Sequence, residues 1–375
     1  MSKMHRLAEA GQSMWLDYID RSFLSQGRLE ELVARGLRGV TSNPSIFDKA
    51  ISGGGEYDEV IREMAGEGRS ADEIYEALTV QDVTTAADQL KPVYERTEGA
   101  DGLVSLEVSP DLARDTEGTV SEARRLFTAV GRPNLMIKVP ATAEGLPAIS
   151  ELLGLGVNVN VTLLFGVENY RQVVEAFMKG LERLLDRGPL VEGGHPVRRV
   201  ASVASFFVSR VDAAVDAALE QAAEEDRREL LGTIAIANAK RAYLESERIF
   251  GGERWSRLAD HGARKQRLLW ASTSTKNPDY PDTMYVDRLI GPETVNTVPP
   301  DTLKAFLDHG RVEVTLPEDT EGAERRLERL GQVGIDLDSV TEKLQVEGVA
   351  KFADSFDSLM TTIEQRRSAL QRVAD

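Results

Sequence analysis

The chain has 375 residues, of which 41% are hydrophobic and none is cysteine, so disulfides, zinc–thiolate sites, iron–sulfur clusters and cysteine nucleophiles are excluded. Its 62 acidic and 45 basic residues give a formal charge of −17, which disfavours DNA and anionic lipid as partners. A small phosphorylated ligand stays possible, because a local pair of cations can hold a phosphate and distant charges are screened.

Compartment and cofactor are indicated only by what the sequence lacks. We find no run of 18 or more apolar residues and no secretory pattern near residue 1, so we expect a cytoplasmic protein that does not span a membrane. The four histidines are scattered without metal-ligand spacing. No motif indicates a metal, nucleotide or flavin, and we therefore expect chemistry without a cofactor.

Eight short apolar or β-branched segments alternate with longer segments of helical period. The predicted strands are 13–19, 38–41, 102–108, 134–140, 156–164, 198–206, 267–272 and 293–299. Amphipathic stretches at 28–37, 118–131, 145–156 and 171–188 are among the predicted helices between them. Such alternation predicts an α/β protein with a parallel sheet, and eight strands favour a closed (β/α)₈ TIM barrel over an open doubly wound sheet.

The remaining segments are predicted to be additions to one barrel domain over 1–375. Residues 49–100 are too long for a single crossover and should carry extra helices. The charged tail over 318–375 reads as a helical extension, which we expect on the barrel exterior. No linker composition separates a second domain.

Polar residues mark the ends of the predicted strands, where barrels of this kind place their chemistry. In chain order they are Asp17, Thr41, Asn43, Glu107, Lys138, Asn158, Asn160, Thr162, Ser205, Arg210 and Ser272. Most of them, taken singly, have an ordinary structural explanation as a cap, a turn former or half of an ion pair. Because residues at alternate positions of a strand share one face, Asn158, Asn160 and Thr162 should point the same way.

Lys138 is the exception, because it interrupts the apolar run NLMIKVP at 134–140. A buried ammonium is costly without a partner or a task, and one interpretation is a structural ion pair with Glu107 or Asp17. The other is catalytic: burial disfavours the charged form of an amine, and a neutral amine can attack a ketone to form a Schiff base. Asp17, Glu107 and Thr162 could then move the protons.

The residues resemble the transaldolase family at this point. GVTSNPSIF (39–47) resembles its first signature, and NLMIKVPATAEGLPAI (134–149) resembles the second, with the Schiff-base lysine at Lys138. Shorter agreements are WLD (15–17), LEV (106–108), NVNVTLLF (158–165) and SFFVSR (205–210), and the run GPETVNTVPP (291–300) suggests the larger bacterial subgroup.

The resemblance implies a class I, Schiff-base aldolase type of barrel. It would move a dihydroxyacetone unit from sedoheptulose 7-phosphate to glyceraldehyde 3-phosphate in the non-oxidative pentose phosphate pathway. Lys138 would be the nucleophile, Asp17 the acid–base group for carbon–carbon cleavage, and Glu107 with Thr162, acting through a water, the proton shuttle. The remaining implied positions contact the substrate: Thr41, Asn43 and Asn160 the three-carbon unit, and Ser205 and Arg210 the phosphate.

One position departs from the resemblance. Smaller relatives carry a second phosphate-binding arginine in an Ala-Ser-Phe-Arg run, whereas ASTSTKNP (271–278) keeps Ser272 and has Ser274 in its place. Lys276 is our candidate substitute, and Arg288 is the alternative.

Two other functions are compatible with such a barrel. An aldolase of this type would release free dihydroxyacetone, but relatives of that kind lack the glutamate at position 107 and carry tyrosine where this chain has Phe207. A sugar-phosphate-binding or scaffold protein would not need the full set of acid, base and nucleophile. We expect small sugar phosphates as ligands and no nucleic acid or membrane partner, and a homodimer is compatible with the sequence.

Overall fold

Eight parallel strands close into a barrel in the computed structural model, which describes residues 2–220 and 222–374. The strands pair in chain order, and β8 pairs with β1. They are β1 (Gln12–Asp17), β2 (Gly39–Thr41), β3 (Leu103–Glu107), β4 (Leu135–Pro140), β5 (Val159–Leu164), β6 (Ser202–Phe207), β7 (Arg267–Ala271) and β8 (Thr294–Val298). The closed barrel confirms the predicted (β/α)₈ fold.

Helices surround this barrel. They are α1 (Lys3–Glu9), α2 (Arg21–Ser25), α3 (Arg28–Ala34), α4 (Pro44–Gly53), α5 (Asp58–Gly66), α6 (Ala71–Arg96), α7 (Thr116–Val130), α8 (Gly145–Gly154), α9 (Val167–Arg187), α10 (Ser209–Leu219), α11 (Glu224–Leu230), α12 (Ile234–Phe250), α13 (Glu253–Asp260), α14 (Met284–Arg288), α15 (Pro300–His309), α16 (Thr320–Gln332) and α17 (Leu337–Ala374), with a 3₁₀ helix at Pro110–Arg114. Within the described residues no helix is long and apolar enough to cross a membrane.

The strands form the centre of the core. Nearly every strand residue is buried, as expected for parallel strands that are covered by helices outside and by side chains within the barrel. Polar residues such as Asn160, Ser205 and Asn296 are buried within these strands and need partners inside the barrel.

The extra helices between β2 and β3 have clear local causes. Asn43 accepts a hydrogen bond from the Ile46 amide at the start of α4, and Pro44 occupies the first turn. The Ser70 and Glu73 side chains form a capping box at the start of α6. These caps determine the residues at which α4 and α6 begin.

The tail does not lie only on the exterior, as the sequence suggested. Helix α17 runs over the carboxyl ends of the strands, where the Gln345 amide donates to the carbonyl oxygens of Ala141 (2.9 Å) and Leu163 (3.1 Å). Farther along, Ser355 receives a hydrogen bond from Ser45 of α4 (2.8 Å). Phe352, between these two points, faces into the barrel mouth. An amphipathic pattern shows that a helix buries one face, but it does not show what that face covers.

Candidate active site

Lys138 lies near the carboxyl end of β4 with only 5% of its surface exposed. Its Nζ donates to Oε2 of Glu107 at 3.2 Å and to the carbonyl oxygen of Ser42 at 3.0 Å. Glu107, Lys138 and Asn160 are direct register partners across β3, β4 and β5. The barrel therefore holds an amine and a carboxylate within hydrogen-bond distance in a buried layer.

Both nearby carboxyl groups have raised pKa values. Burial raises the pKa of Glu107, and the charge of Lys138 offsets part of that rise. Burial likewise raises the pKa of Asp17, against the lowering effects of the Lys138 charge and of a hydrogen bond from Thr41. A carboxylate with a raised pKa is a stronger base, as proton transfer near neutral pH requires.

Asp17 is held by a chain of two threonines. Thr41 Oγ1 donates to Oδ1 of Asp17 at 2.6 Å and lies 2.7 Å from Oγ1 of Thr297, near the end of β8. Asp17 and Thr41 are also register partners of β1 and β2. The carboxylate is thus oriented by the strands on both sides of β1.

A cavity of about 240 Å³ opens among the strand ends. It is lined by Asp17, Thr41, Asn43, Ser45, Lys138, Thr162, Ser205, Phe207, Arg210, Ala271, Ser272, Ser274, Lys276, Thr297, Pro299 and Phe352. Most of the predicted site residues therefore meet around one cavity. Glu107 and Asn160 lie beside it, and the Asn158 amide instead donates to the carbonyl oxygens of Pro133 and Leu135.

Asn160 is fully buried and engaged by its neighbours. Its amide donates to Oγ of Ser105 at 2.9 Å, and its Oδ1 accepts from Oγ of Ser205 at 2.6 Å. The alternation rule placed Asn160 on the correct face of β5. In this structure its visible role is to orient Ser205, which does line the cavity.

Thr162 lies where β5 is irregular. The register with β6 shifts between Val161 and Leu164, and Leu163 has a φ of 58°. Non-glycine residues in this left-handed region cluster at functional sites, and a bulge re-aims the neighbouring side chains. Thr162 lines the cavity, and its buried hydroxyl has no hydrogen-bond partner among the described residues.

Cations gather at the outer part of the cavity. Arg210 is half-buried at the start of α10, lies 5.4 Å from the centre of the Phe207 ring, and forms no ion pair within the part of the chain that the structure describes. Lys276 is exposed and donates to Ser274 at 2.9 Å, and partial desolvation together with the charges of Arg210, Lys351 and Lys49 lowers its pKa. This is the local positive region that the acidic chain needed for a phosphate.

The other proposed cation lies elsewhere. Arg288 is exposed and lines a different cavity, together with Lys240 and Arg326. Ser272, by contrast, lines the cavity of Lys138, and its hydroxyl lies 2.9 Å from that of Ser209. Geometry thus favours Lys276 over Arg288 as the partner of Arg210.

The family described as transaldolase/fructose-6-phosphate aldolase matches residues 14–363. The chain belongs to this family. It is 48% identical over 374 residues to the transaldolase of Thermobifida fusca, covering 98% of this chain and 99% of that protein. It is 49% identical to a transaldolase of Parafrankia (98% of each chain) and 45% identical to one of Trichodesmium erythraeum (97% of each chain).

Membership of the transaldolase/fructose-6-phosphate aldolase family confirms the resemblance found in the two long signatures. It also confirms the Schiff-base aldolase type of barrel. The roles of the individual residues remain predictions that rest on the geometry. In the described residues no group of three or more histidine, aspartate or glutamate side chains is placed to hold a metal ion.

Sequence reasoning missed several residues of this site. Thr297 is the last polar residue of a predicted strand (293–299), so the rule that selected Asp17 and Thr41 could have found it. Ser105 lies two residues before Glu107 on the same face of β3 and could have been found in the same way. Phe352 had no such signal, because it lies in a charged helical tail far from any strand.

Proposed function

We propose that this protein is a transaldolase, which transfers a dihydroxyacetone unit from sedoheptulose 7-phosphate to glyceraldehyde 3-phosphate. The products are erythrose 4-phosphate and fructose 6-phosphate. One observation carries the proposal: the buried amine of Lys138 opens onto a cavity that Asp17 shares, and Glu107 lies 3.2 Å from the amine. A nucleophile and two acid–base groups are thus in place for Schiff-base chemistry.

Imine formation uses Lys138 and Glu107. Glu107 accepts a proton from the ammonium, the neutral amine adds to C2 of the ketose, and a carbinolamine forms. The same carboxyl then donates a proton to the leaving hydroxyl, so that water departs and the protonated imine remains. Thr162 lines the cavity beside Lys138, and its hydroxyl can hydrogen-bond the departing oxygen.

Cleavage uses Asp17. Its carboxylate takes the proton of the C4 hydroxyl, the C3–C4 bond breaks, and the bonding electrons pass into the imine. The aldose phosphate leaves with C4 as its aldehyde, and a three-carbon enamine stays on Lys138. Addition to the second aldose reverses these steps, with Asp17 returning its proton to the new alcohol.

The outer cavity holds the phosphate. Arg210 offers a planar pair of donors, and Lys276 with Ser272 and Ser274 lies on the adjacent wall. Asn43 and Thr41 line the same cavity and would contact the hydroxyls of the three-carbon unit, whereas the phosphate contact implied for Ser205 stays a prediction. Direct contact of Asn160 with a substrate hydroxyl stays a prediction.

The family also contains fructose-6-phosphate aldolases, which are the alternative. Glu107 and Phe207 favour the transferase, and the relatives compared above are named transaldolases. The test is turnover of fructose 6-phosphate with and without erythrose 4-phosphate. We expect sustained turnover only with the acceptor, and equal rates without it would make the protein an aldolase.

We further propose that the enzyme works in the cytoplasm on phosphorylated sugars and needs no cofactor. Lys138 itself supplies the electron sink, because its protonated imine accepts the electrons of the broken bond.

A further inference from the structure

A phenylalanine from the C-terminal helix lies directly over the proposed nucleophile. The Phe352 ring centre is 5.8 Å from Nζ of Lys138. Phe352 lines the substrate cavity and is 7% exposed, although it is more than 200 residues away in sequence. This ring and Phe207 are the two aromatic side chains in the lining.

Contacts on both sides of Phe352 hold α17 over the barrel mouth. Gln345, two turns earlier, bonds the backbone at Ala141 and Leu163, the segments that follow Lys138 and Thr162. Ser355, one turn later, accepts from Ser45 of the cavity wall. Three turns after Phe352, Thr362 donates to Asp48 of α4 at 3.2 Å. These contacts flank Phe352 on both sides and hold its ring at the barrel mouth.

The proposed chemistry has a branch point at which this ring matters. After the first aldose leaves, the enamine on Lys138 must wait for an acceptor. If C3 is protonated and water then adds to C2 of the imine, the C–N bond breaks. Free dihydroxyacetone leaves and the amine of Lys138 is restored. An apolar ring beside the nitrogen displaces water from this space, and its face stabilises a nearby cation.

We propose that Phe352 determines the partition between transfer and hydrolysis, by excluding water from the Schiff base on Lys138 and stabilising the protonated imine. This inference rests on the proposed function. Phe352 acts on the lifetime of the intermediate and moves no proton. The C-terminal helix is accordingly part of the active site and sets its selectivity for a sugar acceptor over water.

The test compares two rates in Phe352→Ala and wild type. One is release of dihydroxyacetone from fructose 6-phosphate without acceptor, and the other is transfer to erythrose 4-phosphate. We expect the ratio of release to transfer to rise about 10-fold, because both the water barrier and the cation–π contact are lost. The borohydride-trappable adduct should also decay faster without acceptor. An unchanged ratio overturns the proposal.

Two further variants separate this role from support of the helix. Leu359→Ala removes a fully buried side chain of α17 that does not line the cavity, and it should keep the wild-type ratio. If it raises the ratio as much as Phe352→Ala does, loosening of α17 is the cause and the proposal fails. Should Phe352→Ala not fold, Phe352→Gln keeps the length of the side chain but adds a polar group. Phe352→Gln should also raise the ratio of release to transfer, and an unchanged ratio in this variant would overturn the proposal.

The proposed function fails in a different way. A wild-type protein that neither transfers nor forms a trappable adduct would refute the transaldolase. A wild-type protein that transfers normally, with the same partition in every Phe352 variant, would refute only the role of Phe352.

Discussion

Lys138 and Glu107 form a buried ion pair at 3.2 Å, yet the two side chains open onto different cavities. Lys138 faces the cavity shared with Asp17 and Arg210. Glu107 lines a second cavity of about 190 Å³ with Tyr75 and Glu122. The structural ion pair considered from the sequence therefore exists. A purely structural pair would not need its amine to line a cavity, so the pair and the catalytic role are compatible.

Replacement of Glu107 by glutamine should slow imine formation. The amide cannot accept the proton of Lys138, and loss of a positioned acid–base group costs about 10²- to 10⁴-fold in rate. The measurement is the rate of appearance of the borohydride-trapped adduct in a single turnover. Glu122→Gln is the matched control, since Glu122 lines the same second cavity but pairs with Arg125. Equal rates for the two variants would contradict the role of Glu107.

The fall of the rate on the acid side of the pH profile should follow protonation of the Asp17 carboxylate. Burial raises the pKa of Asp17, so kcat/KM should fall on the acid side at a pH above the usual carboxylate value of about 4. The hydrogen bond from Thr41 lowers that pKa, so Thr41→Val should move this fall to still higher pH. Thr297→Val, which leaves the bond between Thr41 and Asp17 in place, should move it less. A fall that stays at the same pH in Thr41→Val would contradict the assignment.

Lys276→Met should weaken binding of phosphorylated substrates. Loss of a hydrogen bond to a charged group costs about 1.5–3 kcal/mol, so KM for fructose 6-phosphate should rise about 10- to 100-fold with a smaller change in kcat. Arg288→Met is the control, because Arg288 is an exposed cation like Lys276 but lines another cavity. The reverse pattern, a KM effect only in Arg288→Met, would show that Arg288 is the second phosphate cation.

Loss of the proton from the Asp212 carboxyl should lower the stability of the fold as the pH rises. It lies on α10 two residues after Arg210, accepts from the Ala235 amide (2.7 Å) and from Tyr285 (2.8 Å), and has a pKa raised to about 7 by burial. Because an unfolded aspartate titrates near 4, the unfolded chain loses its proton first. The stability that the protonated group contributes is complete below about pH 4 and is lost as the pH rises through 7.

Asp212→Asn should therefore reduce the drop in Tm between pH 5.5 and pH 8, and at pH 8 the variant should melt above the wild type. Calorimetry at the two pH values measures both quantities. If the variant shows the same drop as the wild type, Asp212 is not the group that titrates.

The strands could be predicted from sequence because they are buried on both faces. Residues 134–140 were predicted as a strand, and β4 is Leu135–Pro140. The strand-end rule then found Asp17, Lys138 and Thr162, since period-two alternation fixes which side chains face inward. This reasoning depends only on short-range patterns, which is why it succeeded.

What sequence reasoning missed depends on distant contacts. The place of α17 is set by its packing on α4 and by the carbonyl oxygens that Gln345 reaches, and none of these partners lies near it in sequence. The sequence also did not show that the Asn160 side chain lies below the cavity lining, for a related reason. Alternation gives the face of a residue but not its layer in the barrel, and Asn160 lies beneath Ser205.

Covalent trapping tests the central claim most directly. The protein is incubated with fructose 6-phosphate, reduced with borohydride and digested, and the peptides are analysed by mass. A reduced three-carbon adduct on Lys138, absent in Lys138→Ala, is the predicted result. An adduct on another lysine, or undiminished turnover in a folded Lys138→Ala protein, would contradict the mechanism.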